Sequence, residues 1–244
     1  MSLNYQFEDA GEPAGGSNAA IEKIPAPIYT LILIVAIIAV FVAQMAGGFE
    51  RSIIAAAFDK PAFSLRGEYW RILTGATLHG GIAHAAMNCY AFFGFGKIFE
   101  MLANRAHLAI VFLLSAIGGG VLSLIFVPDG ISVGASGGIV GLVSYLAVYA
   151  FKRRQFISYE FRKSLLINIG VILAFGLLLF REIDNFGHIG GLITGAVYGL
   201  IQIPSDQYAD PRNASPVIEI AGLASLGIYL AACGFSILLI FGIV

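Results

Sequence analysis

Two stretches of the sequence decide the fold: residues 134–151 read GASGGIVGLVSYLAVYAF, and residues 188–203 read HIGGLITGAVYGLIQI. Each contains an apolar run of 16 residues that opens on a polar side chain, Ser136 in the first and His188 in the second. A helix of that length spans roughly 24 Å, less than the roughly 30 Å of a bilayer's hydrocarbon core. We therefore expect two short membrane helices whose N-terminal polar side chains lie below one membrane surface.

The second stretch carries glycines at four-residue spacing, Gly191, Gly195 and Gly199. Small residues spaced in this way share one helix face and allow a neighbouring helix to approach closely. Serine becomes a nucleophile when a base such as histidine lies within hydrogen-bond reach. The two short helices therefore predict a nucleophile and base pair, Ser136 with His188, that hydrolyses amide bonds inside a membrane.

The composition assigns the chain to the membrane class. Of its 244 residues 58% are hydrophobic and 12% are charged, and the mean hydropathy is +0.86. A net charge of −1 and the lack of a block of like charges give no indication of nucleic-acid binding. Cys89 and Cys233 lie in apolar segments far apart in the sequence, so we expect neither a disulfide framework nor a thiolate metal site.

Apolar runs of spanning length predict an all-α fold, a polytopic membrane helix bundle with seven spans in one domain. The polar, acidic residues 1–25 are expected to form a flexible cytosolic tail and not a signal peptide. Whether the second span begins before or after His79 stays open. The expected spans are Ile28 to Gly47, Leu73 to Phe95, Leu108 to Val127, Ser136 to Phe151, Leu165 to Phe180, His188 to Ile203 and Val217 to Val244.

Basic residues in the loops set the expected orientation. Residues 152–154 and 162–163, all basic, lie between the fourth and fifth spans, whereas residues 128–133 ahead of the fourth span contain none. Loops rich in Lys and Arg stay in the cytoplasm, so this loop and the N-terminus are expected inside and the C-terminus outside. In this topology Ser136 and His188 lie at the same external depth.

The first external loop conflicts with that rule, because it holds Arg51, Lys60 and Arg66. The stretch from Phe49 to Trp70 is amphipathic, with aromatic and aliphatic residues among its charges. Such a segment can lie in the membrane interface, where basic side chains reach the lipid headgroups. The denser basic cluster therefore decides the orientation.

A second polar pair lies near the outer end of the second span. His84 and Asn88 are four residues apart and share one helix face. Both can donate hydrogen bonds to the oxyanion that forms when a serine attacks an amide, as can the backbone N–H of Ser136 at a helix N-terminus. A third triad member is not evident, because Asp184 falls in a short, charged external loop where we expect it to be solvated. The prediction is therefore a Ser-His dyad.

Several motifs are spread over the second to sixth spans. They are Trp70-Arg71, His79, His84-x-x-x-Asn88, Glu100, Gly134-x-Ser136-Gly137 and His188-x-x-Gly191-x-x-x-Gly195. Together they resemble the rhomboid family of intramembrane serine proteases. The resemblance implies that Ser136 is the nucleophile, that His188 is the general base, and that His84 and Asn88 are donors on the oxyanion side.

The resemblance also implies an organisation. Trp70 and Arg71 match a first-loop position that braces the fold at the lipid interface, and Glu100 matches a structural position on the cytoplasmic side. The six-plus-one arrangement of many rhomboids implies a six-helix catalytic core at residues 26–203, with a loop and a seventh membrane helix at residues 204–244.

Two further expectations concern His188. Some members carry a tyrosine that stacks on the base histidine, but this chain has Val140 there, so glycine packing and apolar neighbours are expected to hold the ring. The short, glycine-ended loop from Arg181 to Gly187 is expected to act as a moving cap over the site.

The resemblance implies that the substrates are transmembrane proteins, cut near the outer membrane face after a small residue. The carbonyls of an intact helix are bonded and shielded, so the target must unwind locally. No cofactor or metal is implied, membrane lipids are the expected surroundings, and the oligomeric state stays open. Small size, short loops and the lack of a targeting sequence fit a multi-pass protein of a bacterial cytoplasmic membrane.

Alternatives from other classes fit less well. The sequence has neither His-Glu-x-x-His, typical of zinc proteases, nor the Gly-x-Gly-Asp of aspartyl intramembrane proteases. It also shows no inverted repeat of the kind found in transporters. The remaining alternative is a catalytically inactive rhomboid-like protein that binds membrane clients, and the retention of both Ser136 and His188 argues against it.

Overall fold

The computed structural model describes residues 26–178 and 183–244. In that part of the chain the fold is all-α as predicted, with ten helices and one pair of two-residue strands; the predicted tail at residues 1–25 lies outside it. The elements are α1 (Ile28–Gly47), α2 (Phe49–Ala56), β1 (Phe58–Asp59), α3 (Lys60–Arg66), α4 (Arg71–Thr74), α5 (Ile82–Leu102), α6 (Arg105–Phe126), β2 (Ile131–Ser132), α7 (Ser136–Lys152), α8 (Tyr159–Leu178), α9 (Asn185–Gln202) and α10 (Pro216–Phe241).

The seven predicted spans correspond to the seven long helices α1 and α5 to α10, with some ends shifted. α7 begins at Ser136, as predicted. α5 begins at Ile82, after His79, and not at Leu73. Residues 75–81 between α4 and α5 are not helical, and Gly81, with a φ of 153°, directly precedes α5.

Three other helices differ from the hydropathy-based spans at their ends. α6 begins at Arg105, where the Asn104 side chain accepts a hydrogen bond from a first-turn N–H. α9 begins at Asn185, ahead of the predicted start. α8 begins earlier than predicted, at Tyr159, and the last residues predicted for it, 179–180, lie outside the described chain. Hydropathy locates these helices, but hydrogen bonding decides where they begin.

The lengths of the helices fit a membrane protein. Four of them, α1, α6, α8 and α10, are long and apolar enough by composition to cross a membrane. α7 is apolar but has only 17 residues, or about 26 Å of helix. The chain is a multi-pass membrane protein, and its short α7 lies between longer helices.

The centre of the bundle is formed by α6, α7 and α9. Gly191 and Gly195 of α9 lie against the backbone of Gly137 and Gly141 in α7. A Cβ atom at Gly195 would be 2.0 Å from the carbonyl oxygen of Gly141, so no side chain fits there. Gly191, Gly195 and Gly199 are all buried, and the close helix contact expected from their spacing is present.

The first-loop segment, residues 48–81 between α1 and α5, is fastened to the bundle. β1 pairs antiparallel with β2, which places Phe58 opposite Ser132. The guanidinium of Arg71 is almost fully buried and donates a 2.9 Å hydrogen bond to the carbonyl of Ala57. Arg71 thus ties α4 to the chain ahead of β1, in agreement with the bracing role expected for it.

α10 packs against α1, α6 and the first-loop segment. The hydroxyl of Tyr229 donates a 3.0 Å hydrogen bond to the carbonyl of Ala76. The hydroxyl of Ser236 lies 2.9 Å from that of Thr77. The seventh membrane helix is therefore part of the support for the segment that precedes α5.

Candidate active site

Ser136 is the first residue of α7, and the turn ahead of it depends on glycine. Gly134 has a φ of 129°, a conformation that residues with side chains rarely adopt. Its N–H donates a 3.0 Å hydrogen bond to the carbonyl of Gly75, which fixes the turn to the first-loop segment. Ser136 thus lies at a helix N-terminus, where backbone N–H groups have no helical partners.

His188 lies beside it in the first turn of α9. Its Nε2 atom is 2.9 Å from Ser136 Oγ, within hydrogen-bond distance. Its Nδ1 atom is buried and has no hydrogen-bond partner among the described residues. Val140 is buried and lies against Gly191 of α9, where it supplies an aliphatic contact. The structure thus brings the predicted dyad together, and no third member bonds Nδ1 within the described chain.

His84 and Asn88 lie on the face of α5 that meets the turn ahead of Ser136. A Cβ atom on Gly134 would be 3.0 Å from His84 Nε2 and 3.7 Å from Asn88 Nδ2. His84 Nδ1 accepts a 3.2 Å hydrogen bond from the N–H of Gly80, so in a neutral ring Nε2 carries the proton. Asn88 Nδ2 is buried and has no partner in the described chain. Both side chains therefore present N–H donors next to this turn.

A cavity of about 50 Å³ lies beside the dyad. A water molecule occupies roughly 10–15 Å³ by the same kind of measure, so the cavity has room for a few waters or a small side chain. Its lining is mostly small and apolar. The lining residues are Phe58, Ile72, Gly75, Ala76, Ala116, Gly119, Gly120, Ser132, Val133, Gly134, Ser136, Gly137, Asp184, Gly187 and His188.

Asp184 corrects one expectation from the sequence, because its carboxylate is bonded within the protein rather than solvated. Oδ1 accepts a 2.8 Å hydrogen bond from the N–H of Gly187 and so caps α9. Oδ2 accepts hydrogen bonds from the hydroxyls of Ser123 and Ser132, both at 2.5 Å. Lys60 Nζ lies 3.9 Å from the same oxygen. Sequence reasoning missed this cluster.

The other residues named by the resemblance, His79, Trp70 and Glu100, make packing contacts or hydrogen bonds that join parts of the fold. His79 is fully buried, and its ring packs edge-on against that of His84. Trp70 packs edge-on against an aromatic ring of α10. Glu100 accepts 2.7 Å hydrogen bonds from both the N–H and the hydroxyl of Thr30, which join α5 to α1. These contacts agree with structural roles.

Metal ligands are not grouped in the described part of the chain. Within residues 26–178 and 183–244, no three His, Cys, Asp or Glu side chains are placed to bind a metal ion.

Known proteins share this sequence pattern. The family model described as the Rhomboid domain matches residues 66–205, more than half of the chain. RHOMBOID-like protein 6, mitochondrial, of Arabidopsis thaliana is 35% identical over 158 residues, which cover 61% of this chain and 49% of that protein. Rhomboid protease GluP of Bacillus subtilis is 34% identical over 182 residues, which cover 73% of this chain and 36% of GluP. Inactive rhomboid protein 1 of Rattus norvegicus is 32% identical over 139 residues, which cover 56% of this chain and 16% of that protein. The chain thus spans half or less of the length of these relatives.

Proposed function

Because the chain belongs to the rhomboid family, we propose that it is an intramembrane serine endopeptidase that cleaves transmembrane segments of membrane proteins near the outer membrane face. The observation that carries this proposal is the 2.9 Å hydrogen bond between Ser136 Oγ and His188 Nε2. A serine hydroxyl bonded to a histidine nitrogen is the arrangement that general-base activation requires.

The reaction would proceed through an acyl-enzyme. His188 Nε2 takes the proton from Ser136 Oγ as that oxygen attacks the scissile carbonyl, and the negative charge on the carbonyl oxygen is stabilised by N–H donors of Asn88 and His84. His188 then gives the proton to the leaving nitrogen as the C–N bond breaks. A water molecule, deprotonated by His188, then attacks the ester carbonyl. The bond from that carbon to Ser136 Oγ breaks, Oγ takes the proton back from His188, and the second product leaves with a new carboxyl group. Each oxyanion donor contributes roughly 10²- to 10³-fold in turnover.

The small cavity supports a preference for a small residue next to the scissile bond. Its volume of about 50 Å³ has room for a short side chain. The substrate must leave its helical conformation at that point, because a helical carbonyl is bonded within its own helix. Transmembrane segments with helix-weakening residues are therefore the expected substrates.

We place the N-terminus in the cytoplasm and the dyad towards the outside, in a bacterial cytoplasmic membrane. The basic residues 152–154 support this orientation. The five basic residues at 152–154 and 162–163 form a denser cluster than Arg51, Lys60 and Arg66, the three that conflict with this orientation.

The test is cleavage of a single-pass membrane substrate by the purified full chain in lipid vesicles. Ser136→Ala and His188→Ala should each lower turnover by about 10³-fold or more, because either loss disables the dyad. Ser144→Ala is the matched control, since this buried serine of α7 donates its hydroxyl to the carbonyl of Gly141. It should retain activity.

Two results would overturn the proposal. Equal cleavage by all four proteins would remove the dyad from the reaction. No cleavage by the native chain, with equal capture of membrane clients by all four, would favour the catalytically inactive, client-binding alternative.

A further inference from the structure

The carboxylate of Asp184, which is not part of the dyad, joins the chain segments that carry Ser136 and His188. Asp184 caps α9 through Oδ1, which accepts the hydrogen bond from Gly187. Its second oxygen accepts hydrogen bonds from Ser123, near the end of α6, and from Ser132 in β2. A helix cap needs only one side-chain oxygen, so the contacts of the second oxygen go beyond capping.

A buried lysine completes this cluster. Lys60 is 1% exposed, and its Nζ atom donates a 2.8 Å hydrogen bond to Ser132 Oγ. Burial lowers the pKa of Lys60, while the nearby carboxylate of Asp184 acts in the opposite direction. A buried ammonium group is costly unless it is paired and hydrogen-bonded. The amine is therefore placed to offset the charge of Asp184 and to anchor the start of α3.

The cluster bridges the same two segments as the dyad does. Ser132 precedes Ser136 by four residues, and Asp184 precedes His188 by four residues. The hydrogen bond from Ser132 to Asp184 therefore crosses between the two segments that the bond of Ser136 to His188 also joins. Two such cross-links resist sliding of α9 against α7 better than one. The register matters, because a displacement of about 1 Å in a reacting group can cost roughly 100-fold in rate.

We propose that Asp184 and Lys60 are positioning residues that hold Ser136 and His188 in register and link that register to the first-loop segment. This inference rests on the proposed function. Neither side chain takes part in proton transfer. Their effect passes through Ser132 to the chain ahead of Ser136, and through the cap of α9 to His188.

The test uses the purified full chain in lipid vesicles, with two readouts. The first is the rate at which a fluorophosphonate probe labels Ser136, which reports the reactivity of the hydroxyl without a membrane substrate. The second is cleavage of a single-pass substrate, analysed for kcat and KM. The variants are Asp184→Asn, which keeps a capping oxygen but removes the charge, Asp184→Ala, Lys60→Met, and the double variant Asp184→Asn with Lys60→Met.

We expect Asp184→Ala to lower kcat and the labelling rate by about 10- to 100-fold because register is lost, and KM can change as well because Asp184 also lines the cavity beside the dyad. Asp184→Asn and Lys60→Met should each have a smaller effect of the same kind. The double variant should be less impaired than the worse single variant. Each single variant leaves one charge without its partner, whereas the double variant leaves no unpaired charge.

Ser215→Ala is the control for loss of a helix cap. Ser215 caps α10, away from the dyad, so this variant should lower the melting temperature and leave kcat and labelling unchanged. If Asp184→Ala does not fold, the test relies on Asp184→Asn and Lys60→Met. A lower kcat and labelling rate in a variant whose melting temperature equals that of the native chain then supports the positioning role.

The outcomes separate this inference from the proposed function. If the native chain is labelled and cleaves while the Asp184 and Lys60 variants match it, the positioning role is wrong and the protease stands. A change in KM with kcat intact would also overturn it. If the native chain is neither labelled nor active, the proposed function is wrong and the inference is wrong with it.

Discussion

α8 and α9 are consecutive helices of similar length, but they contact their surroundings in opposite ways. α9 buries four residues, all glycines: three of them, Gly190, Gly191 and Gly195, meet the backbones of α6 and α7, and Gly199 meets side chains of α7. α8 buries only Leu165 and Gly176 among its described residues, and its large apolar side chains, Phe175 and Leu177 among them, are exposed. Lipid tails are as apolar as these side chains, so hydrophobicity alone does not hold a membrane helix against its neighbour. The helix that carries His188 is held by backbone contact, whereas α8 chiefly faces lipid.

Matched glycine substitutions in the two helices should give the largest difference. Gly195→Ala in α9 would place a Cβ atom 2.0 Å from the carbonyl oxygen and 2.6 Å from the carbonyl carbon of Gly141. Because backbone atoms cannot rotate away as a side chain can, we expect the free energy of unfolding to fall by about 3 kcal/mol or more and activity to be lost. Gly170→Ala in α8 meets no atom within 4 Å and should leave stability unchanged or raise it by roughly 0.5–1 kcal/mol. Melting temperatures in one lipid mixture measure both effects, and equal shifts would contradict the contrast between the helices.

Matched asparagine substitutions, one in α5 and one in α8, should give the next largest difference. That difference is expected in turnover and not in stability. Asn88→Ala removes a buried donor that has no partner in the described chain, so the fold should persist while kcat falls roughly 10²- to 10³-fold. Asn168→Ala removes an exposed side chain of α8 that bonds only the carbonyl of Ser164, and it should leave kcat unchanged. Initial rates at saturating substrate measure this. If Asn88→Ala instead lowers the melting temperature while each folded molecule keeps the native turnover, Asn88 is a structural residue.

Acid should destabilise the first-loop segment and leave α8 unaffected, and this effect should be the smallest of the three. Hydrogen bonds from Arg66 and Arg71 lower the pKa of Glu68 below its usual 4.5. The folded state thus binds this proton less readily than the unfolded state, so the contribution is present above about pH 4.5 and is lost as pH falls through the lowered value. Glu68→Gln should reduce the melting temperature slightly at pH 7, and the difference from the native chain should vanish in acid. Glu160→Gln, at an exposed position in α8, is the control, and an equal acid-sensitive shift there would argue against this reading.

The starts of α5 and α7 show what hydropathy predicts and what it does not. The start of α7 at Ser136 follows directly from the apolar run. The start of α5 does not, because residues 75–81 are not helical although the predicted span runs through them. The short helices α2 and α3 lie within the stretch predicted to be amphipathic, but their ends depend on local hydrogen bonds, such as the Asp59 cap of α3, that the apolar pattern does not reveal. The pairing of β1 with β2 joins distant segments and has no signal in either one.

Some polar residues of the site could be predicted from the sequence and others could not. Ser136, His188, His84 and Asn88 could be named from the sequence, since helix direction and motif spacing place them at one depth. The cluster of Asp184 and Lys60 could not, because its members come from distant segments and a lysine is ordinarily read as solvated. One signal did exist: an aspartate immediately before a helix is a typical N-cap, and reading it would have started α9 at Asn185.

The bonds of α10 to the first-loop segment have a consequence for biosynthesis. Tyr229 and Ser236 meet Ala76 and Thr77 across 153 and 159 residues of sequence. A ribosome makes the chain from the N-terminus, so α1 to α9 exist before either partner residue in α10 does. Next to Ala76 lies Gly75, whose carbonyl accepts the hydrogen bond from the turn ahead of Ser136. A nascent chain therefore carries an unfinished site, and the support that α10 gives it is completed only when α10 has been translated and inserted.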